Sequence, residues 1–457
     1  MPLILPKCDV PIPERRKHIL IKSSQENIIP ACNIQTVPGD MTERGCAFAG
    51  CRGVVGGPIK DAIQLVHGPI GCAYYTWGTR RNLSDMALHR KYCFSTDLTE
   101  DNVVFGGADK LYKSIIESYQ LFPKAKAVLV YATCVVGLIG DDLEAICKKA
   151  EKEIGIQVIP FSCEGFRGVS QSLGHHIANK TLFDKVVGTR EPEVTTPYDM
   201  NIIGEYNIDG DAWAIKPLFD AMGIRVLTIF TGNASFDDLP VMHAAKLNIV
   251  QCQRSSTYIA QMIQDKYGTP FINVTLFGME ETSKALRDVG KFFGLEDKAQ
   301  EVIGQETAKI KPQIEEYRSR LSGKRVMVFQ GAPRAWHWIR LFEELGMEVV
   351  VAATTFGHKE DYTKIIERVK DGTLIVDNPN APELVEILED YQPDLFVSGL
   401  KEKYLSYKMG IPFVNGHSYE EGPYAGYLGF VNFARDMDIA INHPVWKMIR
   451  QASGSGL

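Results

Sequence analysis

The 457-residue sequence has no surplus of basic side chains: 50 Lys and Arg stand against 56 Asp and Glu, a formal net charge of −6. A nucleic-acid partner usually leaves a basic excess in composition, so nucleic acid is excluded as a substrate class. No segment approaches the ~18 uninterrupted apolar residues of a membrane span. The apolar run in MPLILPKCDVPIPERRKH is too short for the core of a secretory signal. A cytoplasmic protein with no membrane partner is therefore expected. There is no G-x-x-x-x-G-K-[ST] and no G-x-G-x-x-G after a strand, which excludes ATP hydrolysis and nicotinamide binding by this chain. No C-x-x-C pair occurs, so a zinc ribbon or a thioredoxin-type redox pair does not fit. Tandem repeats are absent, and the one low-complexity tract is the terminal Ser453–Gly456.

Cysteine itself is not scarce. Ten are present, and in a cytoplasmic chain of this size a disulfide framework is not expected, which leaves metal ligation, catalysis or burial to account for them. Three fall in one short stretch, Arg44 to Arg81, RGCAFAGCRGVVGGPIKDAIQLVHGPIGCAYYTWGTRR, beside glycines that let a backbone approach something bulky. Two readings of Cys46, Cys51 and Cys72 stand at this point: ligands of a cluster held by widely spaced thiolates, or buried free thiols.

Length suggests about three domains, and 45% apolar content suffices for several cores. Residues 1–43 show no sustained period and read as an arm. Beyond them, β-branched runs alternate with amphipathic segments: Ala127–Tyr131, Gln157–Phe161, Asn201–Ile203, Val226–Phe230, Leu247–Val250, Val326–Phe329, Val349–Ala352, Thr373–Val376, Leu395–Val397 and Pro412–Val414. This is the pattern of βαβ units, and it predicts an α/β fold of three Rossmann-like, doubly wound parallel-sheet domains over 44–199, 200–323 and 324–457. In such sheets ligands bind beyond the carboxyl ends of the strands. Five expected strands place reactive side chains there: Cys134; Gln171 and His175; Cys252 and Arg254; Arg334; and His417. Thiolates suit iron–sulfur clusters, and arginines suit anionic ligands. His67 and His176 read as structural, bonded to backbone carbonyls. Cys8, Cys32, Cys93, Cys147 and Cys163 read as buried or surface thiols, with Cys51 undecided.

RGCAFAGC followed by HGPIGC, then TCVVGLIGDD, GFRGVSQSLGHHIAN, GEYNIDGDAW, CQRSSTYIA, PRAWHW, GLKEKYLSYKMGIPF and GHSYEEGPYAGYLGFVNFARDMD resemble the α-subunits of nitrogenase component 1 over nearly the whole chain. The resemblance implies that Cys46, Cys72 and Cys134 are the α-subunit ligands of a P-cluster, the eight-iron relay (8Fe-7S), completed by a homologous β-subunit in an α2β2 heterotetramer. It implies that Cys252 and His417 hold a nitrogenase-type iron–sulfur cofactor, iron-only or capped by molybdenum or vanadium, with homocitrate. Val54, Arg80, Gln171 and His175 match catalytic positions. Tyr206, Arg254, Ser255, Arg334, Phe356, Lys401 and Glu402 match positions around the cofactor and its organic ligand. An ATP-hydrolysing iron protein is the implied electron donor.

Departures from the family pattern bear on the small-molecule substrate. PRAWHW and the short loop after His417 resemble vanadium and iron-only types, whereas AGCRGVV, TRRN and LKEKY resemble molybdenum types. Gly56 stands where a bulkier residue is usual and is expected to open the pocket, Tyr74-Tyr75 follows Cys72, and Glu420-Glu421 places two carboxylates beside His417. Mixed signatures and a wider pocket lead to the expectation of reductive C–S cleavage of methylthio-alkanes. The alternatives are dinitrogen reduction, a cofactor-assembly scaffold and, least fitting, a tetrapyrrole reductase.

Overall fold

The computed structural model describes residues 15–24, 28–30, 45–78, 83–85, 92–167, 171–355, 357–446 and 448. Arg80 and Phe356, together with Cys8, Cys32 and the Ser453–Gly456 tract, lie outside the described residues.

Fourteen strands form among the described residues, in chain order β1 (Ile19–Ile21), β2 (Ala62–His67), β3 (Cys93–Ser95), β4 (Ala127–Ala132), β5 (Gln157–Phe161), β6 (Asp199–Glu205), β7 (Arg225–Thr231), β8 (Leu247–Val250), β9 (Phe271–Asn273), β10 (Arg325–Gly331), β11 (Glu348–Thr355), β12 (Leu374–Asp377), β13 (Leu395–Ser398) and β14 (Phe413–Asn415). They make three sheets, ordered β3-β2-β4-β5, β7-β6-β8-β9 and β1-β12-β11-β10-β13-β14. The first two are wholly parallel. In the third only the β1–β12 pair runs antiparallel. Every residue of β2 and β4 is buried, as strands covered by helices on both faces require.

Chain contacts divide the molecule at 274 into two compact units, 45–274 with the first two sheets and the remainder with the third. This grouping differs from the expected division at 199 and 323, although 199 still separates the first sheet from the second. Helices Met279–Phe293 and Glu296–Leu321 belong with the last unit because they pack on its final helix, Gly426–Asn442. Ser283 Oγ meets Tyr427 Oη at 2.8 Å, and Arg320 Nε donates to Asp438 at 3.0 Å. The N-terminal residues also depart from a featureless arm. β1 closes the edge of the third sheet, where Arg15 is buried and donates to Glu383 at 2.6 and 2.7 Å and to the Asp377 carbonyl at 2.6 Å.

Glu344 caps helix Met279–Phe293, accepting from the Met279 amide at 2.9 Å and the Glu280 amide at 3.3 Å. Burial pushes its carboxyl up from 4.5 to about 7 despite these donors. The folded state therefore holds a proton that the unfolded state has released, so stability is greatest below the unfolded value and falls as pH rises through the folded one, by at most roughly 3 kcal/mol. Glu344→Gln is expected to flatten that slope. Thermal unfolding of the variant and the parent from pH 5 to 8 checks it, and parallel curves would contradict it.

Candidate metal centres

The thiols of Cys46, Cys72 and Cys134 come together in the unit 45–274. Cys46 lies just before the π-helical turn Ala49–Gly56, its carbonyl accepting from Gly50 at 3.1 Å. Cys72 sits in the first turn of helix Ile70–Gly78, which follows β2, and Cys134 opens helix Cys134–Ile139, which follows β4. These strands are adjacent, so their carboxyl ends deliver two of the sulfurs side by side. The β2 and β4 exits are tied together by the Thr133 hydroxyl, which donates to the His67 carbonyl at 3.0 Å.

Gly165 forms the floor. A Cβ there would lie 2.9 Å from Cys134 Sγ and 3.3 Å from Cys46 Sγ, so a side chain would occupy the space the sulfurs share. Burial raises the Cys72 thiol above its ordinary value, and the nearby Cys46 and Cys134 raise it further. Three sulfurs that repel as thiolates, with Cys134 exposed and the others half-buried, are a donor set in want of a positively charged body. Among the described residues no three His, Cys, Asp or Glu side chains close tightly enough around a single metal ion. An open triad of this kind suits a multi-iron cluster whose remaining ligands come from elsewhere. Exposed Ile70, Tyr74, Leu138 and Phe166, on the same helices or beside Gly165, give the rim an apolar character.

Cys252 follows β8 and stands at the N-cap of helix Gln253–Tyr267. Gly204, in β6 with φ +80°, allows close approach: a Cβ there would stand 2.8 Å from the Cys252 amide nitrogen and 2.9 Å from Ser256 Oγ. Tyr206 Oη meets Ser255 Oγ at 2.6 Å and Ser256 Oγ at 3.2 Å, and Asn179 donates to the Ser255 carbonyl. Gln171 opens helix Gln171–Lys185, which carries the buried His175. That helix crosses the Cys46 loop backbone on backbone. Cβ atoms at Gly50 and Gly174 would come within 1.9 Å of the Gln171 and Ala47 carbonyl oxygens. Val54 is buried in the π-helical turn, and Arg254 is half-buried two residues beyond Cys252.

In the other unit the neighbouring strands β10, β13 and β14 end together. Arg334 lies beyond β10, Lys401 and Glu402 beyond β13, and His417 beyond β14. The His417 amide donates to Asn415 Oδ1 at 3.0 Å. Arg334 donates to the Gly416 carbonyl at 3.1 Å and to Tyr419 Oη at 2.7 Å. Burial raises the Glu402 carboxyl, against the exposed Lys401 beside it and a 3.0 Å bond from Ser398 Oγ. At Gly399 a Cβ would lie 3.4 Å from Glu402 Oε2 and 3.7 Å from His417 Nδ1, so glycine leaves space between carboxylate and imidazole.

Other expectations are corrected. Gly56 opens no room, because the Tyr131 hydroxyl stands 2.1 Å from where its Cβ would be, held at 2.8 Å by Gln64 Oε1 and stacked on Phe161. Glu420 and Glu421 line a cavity of 640 Å³ walled by Phe413, Ile439 and Trp446, and His417 is not among its lining residues. His67 bonds side chains rather than carbonyls: Thr96 Oγ1 and Asp141 Oδ2, each at 3.0 Å. His176 packs edge-on to Tyr258. Cys147 and Cys163 are core thiols as expected, with burial pushing Cys147 up to about 12, and the undecided Cys51 is buried with them. Cys93 accepts from Arg52 Nη2 at 3.0 Å. Two features escaped the sequence reading, the Gly165 floor and the Gly50–Gly174 crossing, since both join residues far apart in the chain.

Largely parallel sheets covered by helices, with a thiol triad at one set of strand ends, a thiol at a second and an imidazole at a third, are the features of a cluster-binding α/β metalloprotein subunit. The chain belongs to the nitrogenase component 1 type oxidoreductase family, whose model matches residues 46–442. It is 50% identical to the nitrogenase molybdenum-iron protein alpha chain of Methanothermobacter marburgensis, over 98% of each chain. It is 45% identical to the nitrogenase iron-molybdenum cofactor biosynthesis protein NifE of Methanococcus maripaludis, covering 95% of this chain and 91% of that one. The solved structure of nitrogenase Cp1 at pH 5 superposes with a TM-score of 0.90 at 39% identity, covering 95% of this chain and 96% of that one. The chain is thus an oxidoreductase metalloenzyme subunit of a family that carries iron–sulfur clusters and works with a β-subunit and an iron protein. Among the described residues no helix is long and apolar enough to cross a membrane.

Proposed function

We propose that this chain is the catalytic α-subunit of a nitrogenase-type complex that reduces dinitrogen to ammonia. The observation that carries the reading is the thiol triad around Gly165 in a chain that also keeps Cys252 and His417. A scaffold that only holds a cofactor in transit has little use for a relay site at a subunit rim. Cys46, Cys72 and Cys134 would hold a P-cluster jointly with the β-subunit. Cys252 and His417 would be the protein ligands of the second cluster, with Arg80, Arg254, Ser255, Tyr206, Arg334, Phe356, Lys401 and Glu402 around it and its homocitrate. The donor set fits such groups: soft thiolates, an imidazole, and glycine-lined space at Gly165 and Gly399.

When bound, the clusters supply low-potential electrons and the surface on which substrate is reduced. The chain's own groups do the rest. His175, buried on its helix, holds a proton away from bulk water, and Gln171 at the start of that helix offers an amide to orient what binds there. The Tyr206–Ser255 hydroxyl pair fixes the chain beside Cys252. Arg334 holds the Gly416 carbonyl and so the turn that presents His417. Buried Val54 supplies an apolar wall that favours a small neutral substrate.

The methylthio-alkane reading rested on mixed signatures together with room at Gly56, and Tyr131 fills that room. The purified complex, given its iron protein, ATP and a low-potential reductant, is expected to form labelled ammonia from isotopically labelled dinitrogen and to release no methanethiol from a methylthio-alkane. Methanethiol without labelled ammonia would return the chain to C–S cleavage. Neither product, with cofactor passed to a cofactor-free nitrogenase, would make it a scaffold.

A further inference from the structure

Gln330, the penultimate residue of β10, is 2% exposed, and neither its Nε2 nor its Oε1 has a hydrogen-bond partner among the described residues. Its amide is pressed against the residue before His417. A Cβ on Gly416 would lie 1.4 Å from Gln330 Nε2 and 2.6 Å from its Cδ, so any side chain at 416 would have to displace the Gln330 amide. An unpaired buried polar group costs about 1–3 kcal/mol. Met or Leu would fill the same volume without that cost, so packing alone does not account for an amide here.

The turn is held at three other points. The Gly416 amide donates to the Ser398 carbonyl at 2.8 Å, the Gly416 carbonyl accepts from Arg334 at 3.1 Å, and the His417 amide donates to Asn415 at 3.0 Å. A glycine immediately before a metal-ligand histidine is a pivot, and Gln330 is the side chain that blocks it from the strand side. We propose that Gln330 is a positioning residue that fixes the orientation of His417 for metal ligation, its amide donors and acceptor being satisfied at that turn when the cluster is bound. The proposal rests on the reading of His417 as a ligand.

Gln330→Met keeps the length and removes the amide, Gln330→Glu keeps hydrogen-bonding oxygens, and Gln330→Ala cannot collide with Gly416. With the intact complex, the Met and Ala variants are expected to retain their iron on purification, to lose second-cluster iron to a chelator about tenfold faster than the parent, and to show an altered iron Mössbauer signature for that cluster. The Glu variant, which keeps an acceptor but loses the amide N–H donors, is expected to restore the parental signature only in part. Met and Ala variants with parental spectra and chelator rates, beside a His417→Ala complex that lacks the second cluster, would overturn the role of Gln330 alone. Full second-cluster iron in His417→Ala would overturn the ligand assignment and this proposal with it.

Discussion

Cys252→Ala and His417→Ala are each expected to yield a complex that keeps its interface-cluster iron, lacks the second cluster, and reduces substrate more than about 100-fold more slowly than the parent. The two residues lie at the ends of different strands, β8 and β14, and each offers one donor of the kind iron prefers. A cluster held by so few protein atoms cannot lose one and stay. The fold should survive both changes, because neither side chain fills a core position: Cys252 and His417 are half-buried. Iron analysis of the purified variants is the check, and a Cys252→Ala complex with parental iron would contradict the assignment.

Changes at the triad should act differently. Cys46→Ala, Cys72→Ala and Cys134→Ala are expected to cost interface-cluster iron and to weaken association with the β-subunit, because the apolar rim of Ile70, Tyr74, Leu138 and Phe166 surrounds the same thiols. Gly165→Ala should do nearly the same while leaving every ligand in place. Its Cβ would come within 2.9 Å of Cys134 Sγ and 3.3 Å of Cys46 Sγ, and Gly165 does not adopt a positive φ, so the backbone accepts alanine while the sulfurs must separate. Size-exclusion chromatography with iron counting distinguishes the outcomes. A Gly165→Ala complex that is fully assembled and fully loaded would show that the floor is not needed.

Much of the architecture can be read from the residues because a strand buried on both faces writes itself as a β-branched run. All ten expected strands form, each within a few residues of its expected ends. The four that escaped had no such signal. β2, AIQLVH, is central to its sheet but lies inside the glycine- and cysteine-rich stretch that reads as a site. β1, β3 and β9 are three residues each, too short for a period. A long amphipathic helix does not reveal in the sequence which neighbour covers it, and Glu296–Leu321 packs on a helix more than 100 residues later.

The site divides in the same way. Reactive side chains after strand ends can be placed by topology alone, and Cys134, His175, Cys252, Arg334 and His417 all lie there. Contacts between distant segments cannot. Gly56 reads as lost volume in a linear sequence, yet it is the notch that admits the Tyr131 hydroxyl. Glu420 and Glu421 read as neighbours of His417, yet the cavity they line does not have His417 among its lining residues. The pairing of Gly165 with two cysteines, and of Gln330 with Gly416, has no local trace at all.

The central claim is that one chain carries both a shared relay site and a catalytic cluster site. Anomalous diffraction at the iron edge from crystals of the intact complex tests it most directly. Iron is expected beside Cys46, Cys72 and Cys134, and separately in contact with Cys252 and His417. A map with iron at only one of these places would contradict the account.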